Sequence, residues 1–197
     1  MHKLVLRAAR FMALAGGAVL GALVVLVCLS VAGRMLNGLL HGAAGDLAPH
    51  LARALLGLGI GPITGDFELV EAGIAFSIFA FLPLAQITSA HASVDLLGAA
   101  LPDRAGRLLR LLAEIAFAGV LILIAVQLGA GMLSKMRHGE TTFLLQFPVW
   151  WGYAASLPGA VLAGAVGVYM TGVRGLELVR GRDILPAAAR PGAEAQA

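Results

Sequence analysis

Charged residues are scarce in this chain: Asp, Glu, Lys and Arg make up 13% of its 197 residues, whereas a soluble domain has about 25%. Aromatic residues are also few, at 6%, and the single cysteine, Cys28, excludes an intrachain disulfide. Hydrophobic residues reach 59%, and 26 residues are glycine. The apolar content is therefore mainly Leu, Ala and Val interleaved with Gly, which is typical of membrane helices that approach one another closely.

Long stretches without any Asp, Glu, Lys, Arg or His occur four times along the chain. A hydrocarbon core about 30 Å thick takes about 20 helical residues, so each stretch is long enough to cross it. Pro148 suits a first helical turn, and Trp150, Trp151 and Tyr153 follow it as an aromatic belt. We therefore predict an all-α membrane protein with four transmembrane helices, at about 11–33, 67–90, 110–134 and 148–172.

The segments outside the spans complete the predicted organisation. Leucines recur at helical spacing between the first two spans, which predicts an amphipathic helix at about 46–58 that rests on the membrane or on the outer end of the helices. Residues 1–178 are expected to form one four-helix domain, followed by a disordered cytoplasmic tail, 179–197. The first span is alternatively a signal peptide, but its apolar run from Phe11 to Gly33 exceeds the usual length of about 7–15 residues.

The basic residues predict how the helices are oriented. If the N-terminus is inside, the cytoplasmic segments hold ten of the 14 Lys and Arg residues, and the outer segments hold the other four: Arg34, Arg53, Lys135 and Arg137. The positive-inside rule therefore favours a protein with both termini in the cytoplasm. The net charge of only +3 comes from residues beside apolar runs, which indicates membrane orientation and no binding of nucleic acid.

Few residues are arranged for chemistry. His91, Ser93 and Asp95 are the residue types of a hydrolase triad, but helical spacing puts Ser93 almost opposite the other two, so we expect His91 and Asp95 to bond loop backbone or a partner. Glu68 and Glu71 lie one turn apart at a water interface, where solvated charges are favoured over an acid and base pair. The five histidines are scattered without ligand spacing. We predict no catalysis, no metal and no cofactor.

Deep in the spans, the strongly polar residues are Gln86 and Gln127. We interpret both as hydrogen-bonding groups between helices or between subunits, because a proton or ion path normally needs ionisable groups at this depth. Two small-xxx-small pairs predict close helix contacts: Gly17 with Gly21, and Ala160 with Gly164.

Short motifs surround the second and fourth spans. The second span begins with an acidic residue and continues as an apolar run that ends in Leu-Ala-Gln. A His-x-x-Val-Asp motif follows it, and then Leu-Pro and basic residues. At the fourth span, a Pro-x-Trp-x-x-Tyr run precedes a second Leu-Pro. Over about residues 11–178 this pattern resembles the small membrane subunit of the tripartite ATP-independent periplasmic (TRAP) transporters. The candidate motif or subunit-interface residues are Glu68, Gln86, His91, Val94, Asp95, Pro102, Arg104, Pro148, Trp151, Tyr153 and Pro158.

The resemblance implies a multi-pass subunit of the bacterial inner membrane that scaffolds the large transport subunit. It also implies that the chain helps to dock a periplasmic solute-binding protein for sodium-driven uptake of a small organic, carboxylate-type solute. The expected partners are that large membrane subunit, the solute-binding protein and membrane lipid. A self-contained carrier or channel is the alternative, disfavoured by the lack of ionisable groups at depth. A membrane-embedded enzyme is a second alternative, disfavoured by the lack of a convergent catalytic set.

Overall fold

The computed structural model describes residues 2–42, 49–50, 57, 61, 63–88 and 103–180. Four helices occupy almost all of these residues: α1 (His2–His41), α2 (Asp66–Ile87), α3 (Asp103–His138) and α4 (Trp150–Arg180). All four are long and apolar enough to cross a membrane, and the described residues form no strand beyond one isolated β-bridge. The prediction of an all-α membrane protein with four spans is therefore confirmed.

The helices are mostly longer than the predicted spans. With its 40 residues α1 is about 60 Å long, about twice the thickness of a hydrocarbon core. The predicted spans counted the uncharged runs, whereas a helix continues through charged flanks as long as its backbone bonds are kept. At its other end α4 reaches Arg180, so the first two residues of the predicted disordered tail are helical. The rest of that tail and nearly all of the predicted amphipathic helix at 46–58 lie outside the described residues.

The helices form an open row in the order α1, α2, α4, α3. Helix α1 packs mainly on α2, α2 packs on α4, and α4 packs on α3, while α1 and α3 do not approach each other. Helix α4 lies in the interior of the row and buries the largest share of its apolar residues. The backbones of α2 and α3 also stay apart, which leaves a cleft over α4 on one side of the row.

Small residues set the closest helix contacts. A Cβ atom added to Gly159 would lie 2.6 Å from the carbonyl oxygen of Phe79, so α4 and α2 meet backbone to backbone at this point. Between α1 and α2, a Cβ atom added to Gly16 would lie 2.8 Å from the Cβ of Ala80, and the Ser77 hydroxyl donates a hydrogen bond to the Gly16 carbonyl oxygen over 3.1 Å. Neither glycine can therefore be replaced by a larger residue unless the helices move apart.

The two predicted small-residue pairs differ in outcome. Ala160 is buried, and a Cβ on Gly164 would meet Ile122 of α3 at 3.5 Å, so this pair makes the predicted contact. Gly17 and Gly21 are exposed and have no neighbour within 4 Å of an added Cβ. The prediction is wrong for contacts among the described residues, because Gly16, and not Gly17, lies on the face of α1 that packs on α2.

Candidate functional site

The row has two distinct ends. At one end, called the loop end, α1 and α3 finish, α2 and α4 begin, and residues 139–149 connect α3 to α4. At the opposite end α1 and α3 begin and α2 and α4 finish. The core cluster near the opposite end joins Ala9, Ile87, Val166 and Met170. Both termini of the helical row therefore lie at the opposite end.

The 139–149 loop is a compact hairpin fastened to α2. Two backbone hydrogen bonds close it, from Thr142 N to Phe147 O at 2.9 Å and from Val149 N to Glu140 O at 3.0 Å. The carboxylate of Glu68 then accepts the backbone N–H groups at the hairpin tip, Leu144 at 2.6 Å and Leu145 at 2.9 Å. Glu68, a motif residue, is therefore a positioning residue that holds the connection between α3 and α4 against the start of α2.

Apolar and aromatic side chains face outward at the loop end. Phe143 at the hairpin tip is 88% exposed, and Trp151 in the first turn of α4 is also exposed. The Trp151 ring stacks on Phe147 with 6.5 Å between centroids and meets Trp150 edge-on at 6.2 Å. Aromatic side chains of this kind favour the level of lipid headgroups, so the loop end lies at one membrane surface.

A second polar contact at the loop end joins α1 to α2. The Ser30 hydroxyl, fully buried, donates a hydrogen bond of 2.5 Å to Asp66 Oδ2, and Ser30 Oγ also accepts the Ile63 N–H at 3.3 Å. Arg34 reaches the same Asp66 oxygen at 3.6 Å, and Asp66 Oδ1 accepts the Phe67 N–H at 2.9 Å. Sequence reasoning missed this contact, because a serine inside an apolar run carries no signal of its partner.

At the opposite end, buried polar side chains join α2 to α3 and form an ion pair within α4. Gln86, almost completely buried, donates a hydrogen bond of 2.8 Å from Nε2 to Glu114 Oε2 on α3. On α4, Arg174 and Glu177 form an ion pair one turn apart, with 2.9 Å between Nη1 and Oε2. Gln86 thus makes a hydrogen bond between helices, and its partner Glu114 is a residue that no sequence motif had singled out.

Gln127 differs from Gln86. It lies near the middle of the apolar part of α3, it is exposed, and it has no hydrogen-bond partner among the residues that the structure describes. The same face of α3 carries Ala116, Leu123 and Ala130, all exposed. A carboxamide in this position would be left unsatisfied in hydrocarbon, so it calls for a partner outside the described chain.

The remaining motif residues fall into two groups. Pro148 pairs with Thr141 in the isolated β-bridge, Tyr153 lines the cleft between α2 and α3, and Pro158 lies inside α4 next to Gly159. Arg104 lies in the first turn of α3. Four motif residues lie outside the described residues: His91, Val94, Asp95 and Pro102.

Two clefts open on the sides of the row. One, of about 550 Å³, lies between α2 and α3 over α4, and the other, of about 620 Å³, lies between α1, α2 and α4 and is lined almost entirely by apolar side chains. Within the described part of the chain, no three His, Cys, Asp or Glu residues come together as they would around a metal ion. The bonds from Ser30 to Asp66 and from Gln86 to Glu114 hold helices together, whereas Glu71 and Gln127 have no hydrogen-bond or ion-pair partner among the described residues.

The comparisons with known proteins agree with this architecture. Residues 23–175 match a family model described as tripartite ATP-independent periplasmic transporters, DctQ component. No curated protein and no solved structure gave a match. The matched region extends from the middle of α1 into the last turns of α4 and covers more than half of the chain. The chain therefore belongs to the DctQ-component family, the multi-pass membrane components of tripartite ATP-independent periplasmic transporters.

Proposed function

We propose that this chain is the small scaffold subunit of a sodium-driven transporter in the bacterial inner membrane. In this role it holds the large transport subunit and helps a periplasmic solute-binding protein to dock, so that a small organic, carboxylate-type solute is taken up. Family membership is the observation that carries the proposal. The substrate path and the ion coupling belong to the large subunit, and this chain has no catalytic role.

The geometry supports a scaffold. Buried polar side chains near both ends of the row bond within the chain: Ser30 with Asp66, and Gln86 with Glu114. Such bonds fix the relative positions of the helices, whereas a substrate path needs polar groups that are free to exchange partners. An open row also presents both of its sides to the membrane, which suits a subunit that lies alongside a larger one.

Gln127 indicates which surface meets the large subunit. We assign this role to the face of α3 that carries Ala116, Leu123, Gln127 and Ala130, where small residues allow a close approach of another helix and the carboxamide supplies a hydrogen bond. A hydrogen bond between membrane helices is worth about 1 kcal/mol, or about a fivefold change in association. The aromatic loop end would then present the hairpin to the periplasmic protein.

Two experiments test the proposal. The first compares solute uptake by vesicles that contain the purified complete transporter with uptake by vesicles that contain this chain alone. We expect sodium-dependent uptake only with the complete transporter. Robust uptake by the small chain alone would replace the scaffold with a self-contained carrier.

The second experiment measures association with the large subunit in membranes by energy transfer between fluorescent labels. We expect Gln127→Leu to weaken association about fivefold. Val126→Leu is the matched control, because it places the same side chain at the next exposed position of α3 without removing a polar group. Equal association of the two variants would show that the large subunit binds another surface, and the scaffold role itself would then rest on the first experiment.

A further inference from the structure

The cleft between α2 and α3 has the shape of a site for one elongated molecule. Its floor is α4, its walls are α2 and α3, and the 139–149 loop closes it at the loop end; the residues that shape it include Ala72, Ala75, Phe79, Leu128, Phe147 and Gly152. The volume of about 550 Å³ falls within the range of about 300–1,000 Å³ that is usual for ligand sites.

The charged residues that line the cleft lie at one end only. Glu68 and Glu71 line it beside the loop, whereas the part further along α2, at Ala75 and Phe79, is apolar. The Glu68 carboxylate accepts two backbone N–H groups, but Glu71 has no hydrogen-bond or ion-pair partner among the described residues. Lys135, at the same end of the row, is paired with Glu140 over 2.6 Å. Two carboxylates therefore give the mouth of an apolar cleft a negative charge.

We propose that this cleft binds a membrane phospholipid whose headgroup carries a primary ammonium, as in phosphatidylethanolamine. The ammonium donates hydrogen bonds to the Glu71 carboxylate, and an acyl chain lies along Ala75 and Phe79. The position of the cleft in the membrane agrees with a bound phospholipid, because Trp151 and Tyr153 belong to an aromatic belt that marks the headgroup level at the loop end. Choline headgroups have no N–H to donate, and a glycerol headgroup leaves the lipid anionic, so both fit a negative mouth less well.

A lipid fits this cleft better than a helix of a partner protein. From Glu68 to Phe79 the cleft runs about 17 Å along α2, whereas a membrane-spanning helix is about 30 Å long. The loop closes one end of the cleft. Seven residues beyond Phe79, on the same face of α2, Gln86 bonds to Glu114 and bridges the two walls. An acyl chain can bend to enter from the open side, and a straight helix cannot.

Native mass spectrometry of the purified full-length chain tests the site by titration with phosphatidylethanolamine, phosphatidylcholine and phosphatidylglycerol of identical acyl chains. We expect phosphatidylethanolamine to bind at least about tenfold more tightly than the other two, since only its ammonium group can form a charge-assisted hydrogen bond with the Glu71 carboxylate. Glu71→Gln should abolish this preference. Glu140→Gln, which removes the same charge at the same end of the row from a residue outside the cleft lining, should leave it unchanged.

A second pair of variants tests the apolar part. Ala75→Phe should fill the cleft and reduce tight binding of every lipid, whereas Ala18→Phe, at an exposed position of α1 outside both clefts, should not. Circular dichroism and size-exclusion chromatography establish that each variant is folded. Equal affinity of the wild-type chain for the three lipids would overturn the proposal, and so would a full preference in Glu71→Gln. Loss of the bound lipid on addition of the large subunit would also overturn it, because the cleft would then be a protein interface.

Discussion

At the loop end each ion pair of the described residues includes a well-exposed side chain, whereas at the opposite end both members of the Arg174–Glu177 pair are largely buried. The Arg34 side chain is 55% exposed where it approaches Asp66, and Lys135 and Glu140 are both partly exposed. The side chains of Arg174 and Glu177 are only 13% and 3% exposed. Exposed pairs contribute little to stability, but removal of one member of a buried pair leaves an uncompensated charge.

The difference assigns separate tasks to the two ends. The loop end is organised by a hydroxyl and by backbone N–H groups bound to carboxylates, with aromatic rings outward, which suits a surface that contacts lipid headgroups and another protein. The opposite end is organised by buried polar side chains on three helices, which suits a fixed anchor. We expect substitutions at the opposite end to destabilise the whole row of helices, and substitutions at the loop end to change the structure only locally.

The largest expected difference between the two ends is the side of the membrane on which each one lies. The ten-to-four distribution of basic residues predicts that the loop end is periplasmic and the opposite end cytoplasmic. A periplasm-active phosphatase fused after Arg137 should be active, and one fused after Arg104 or Arg182 should be silent. Activity at Arg104 together with silence at Arg137 would reverse the assignment of the two ends.

Removal of one member of the buried ion pair comes next. Arg174→Ala removes the guanidinium group that pairs with the buried carboxylate of Glu177, so the free energy of unfolding should fall by about 3–5 kcal/mol. Equilibrium unfolding in mixed detergent micelles measures this change. Arg180→Ala is the matched control, because it removes an exposed arginine from the same helix. A loss no larger than that of the control would show that the opposite end is not the more sensitive one.

The contact between α1 and α2 should have an intermediate effect. Ser30→Ala removes a buried hydrogen bond to a carboxylate, a class worth about 1.5–3 kcal/mol. We expect the lower part of this range, because Asp66 keeps the Phe67 N–H and the approach of Arg34. The same unfolding measurement applies, with Ser134→Ala on the exposed part of α3 as the control. A loss of stability equal to that of Arg174→Ala would show that the two ends are equally sensitive to substitution.

Sequence reasoning predicted the four helices because the signal is local. A run of about 20 residues without charge crosses a membrane regardless of what lies beside it. The motif residues at the start of α2 and before α4 were also identified locally, and the structure places Glu68 against the tip of the connection between α3 and α4 and Pro148 near its α4 end. The sequence did not show that Glu68 binds residues 76 and 77 positions further along.

Long-range packing was beyond the sequence for a physical reason. Gln86 and Gln127 have the same side chain in similarly apolar surroundings, yet one is buried against Glu114 and the other is exposed. Gly16 and Gly17 are adjacent, and only Gly16 packs on α2. Each residue of a helix is rotated by about 100° from the one before it, so the rotation of the helix about its axis decides which side chains are buried. In a sequence rich in Gly and Ala, the pattern of apolar residues does not identify the buried face.

The smallest expected effect concerns Glu68 at the loop end. Glu68→Gln leaves one oxygen where the carboxylate has two, so it can accept the hydrogen bond of Leu144 or of Leu145 in the present arrangement, but not both with the same geometry. Hydrogen exchange should therefore become faster at these two amides. The amides of α2 and α4 should exchange as before, because the helix contacts at Gly159 do not involve the loop.

Glu140→Gln separates this local effect from a general loss of charge at the loop end. Its side chain pairs with Lys135 and does not bind the hairpin tip, so the Leu144 and Leu145 amides should keep their protection in that variant. Faster exchange along α2 and α4 in Glu68→Gln would contradict the expectation that damage at this end stays local. If the tip alone loosens, the same variant should weaken docking of the periplasmic protein while association with the large subunit through α3 is retained, because the hairpin and Gln127 lie on different parts of the row.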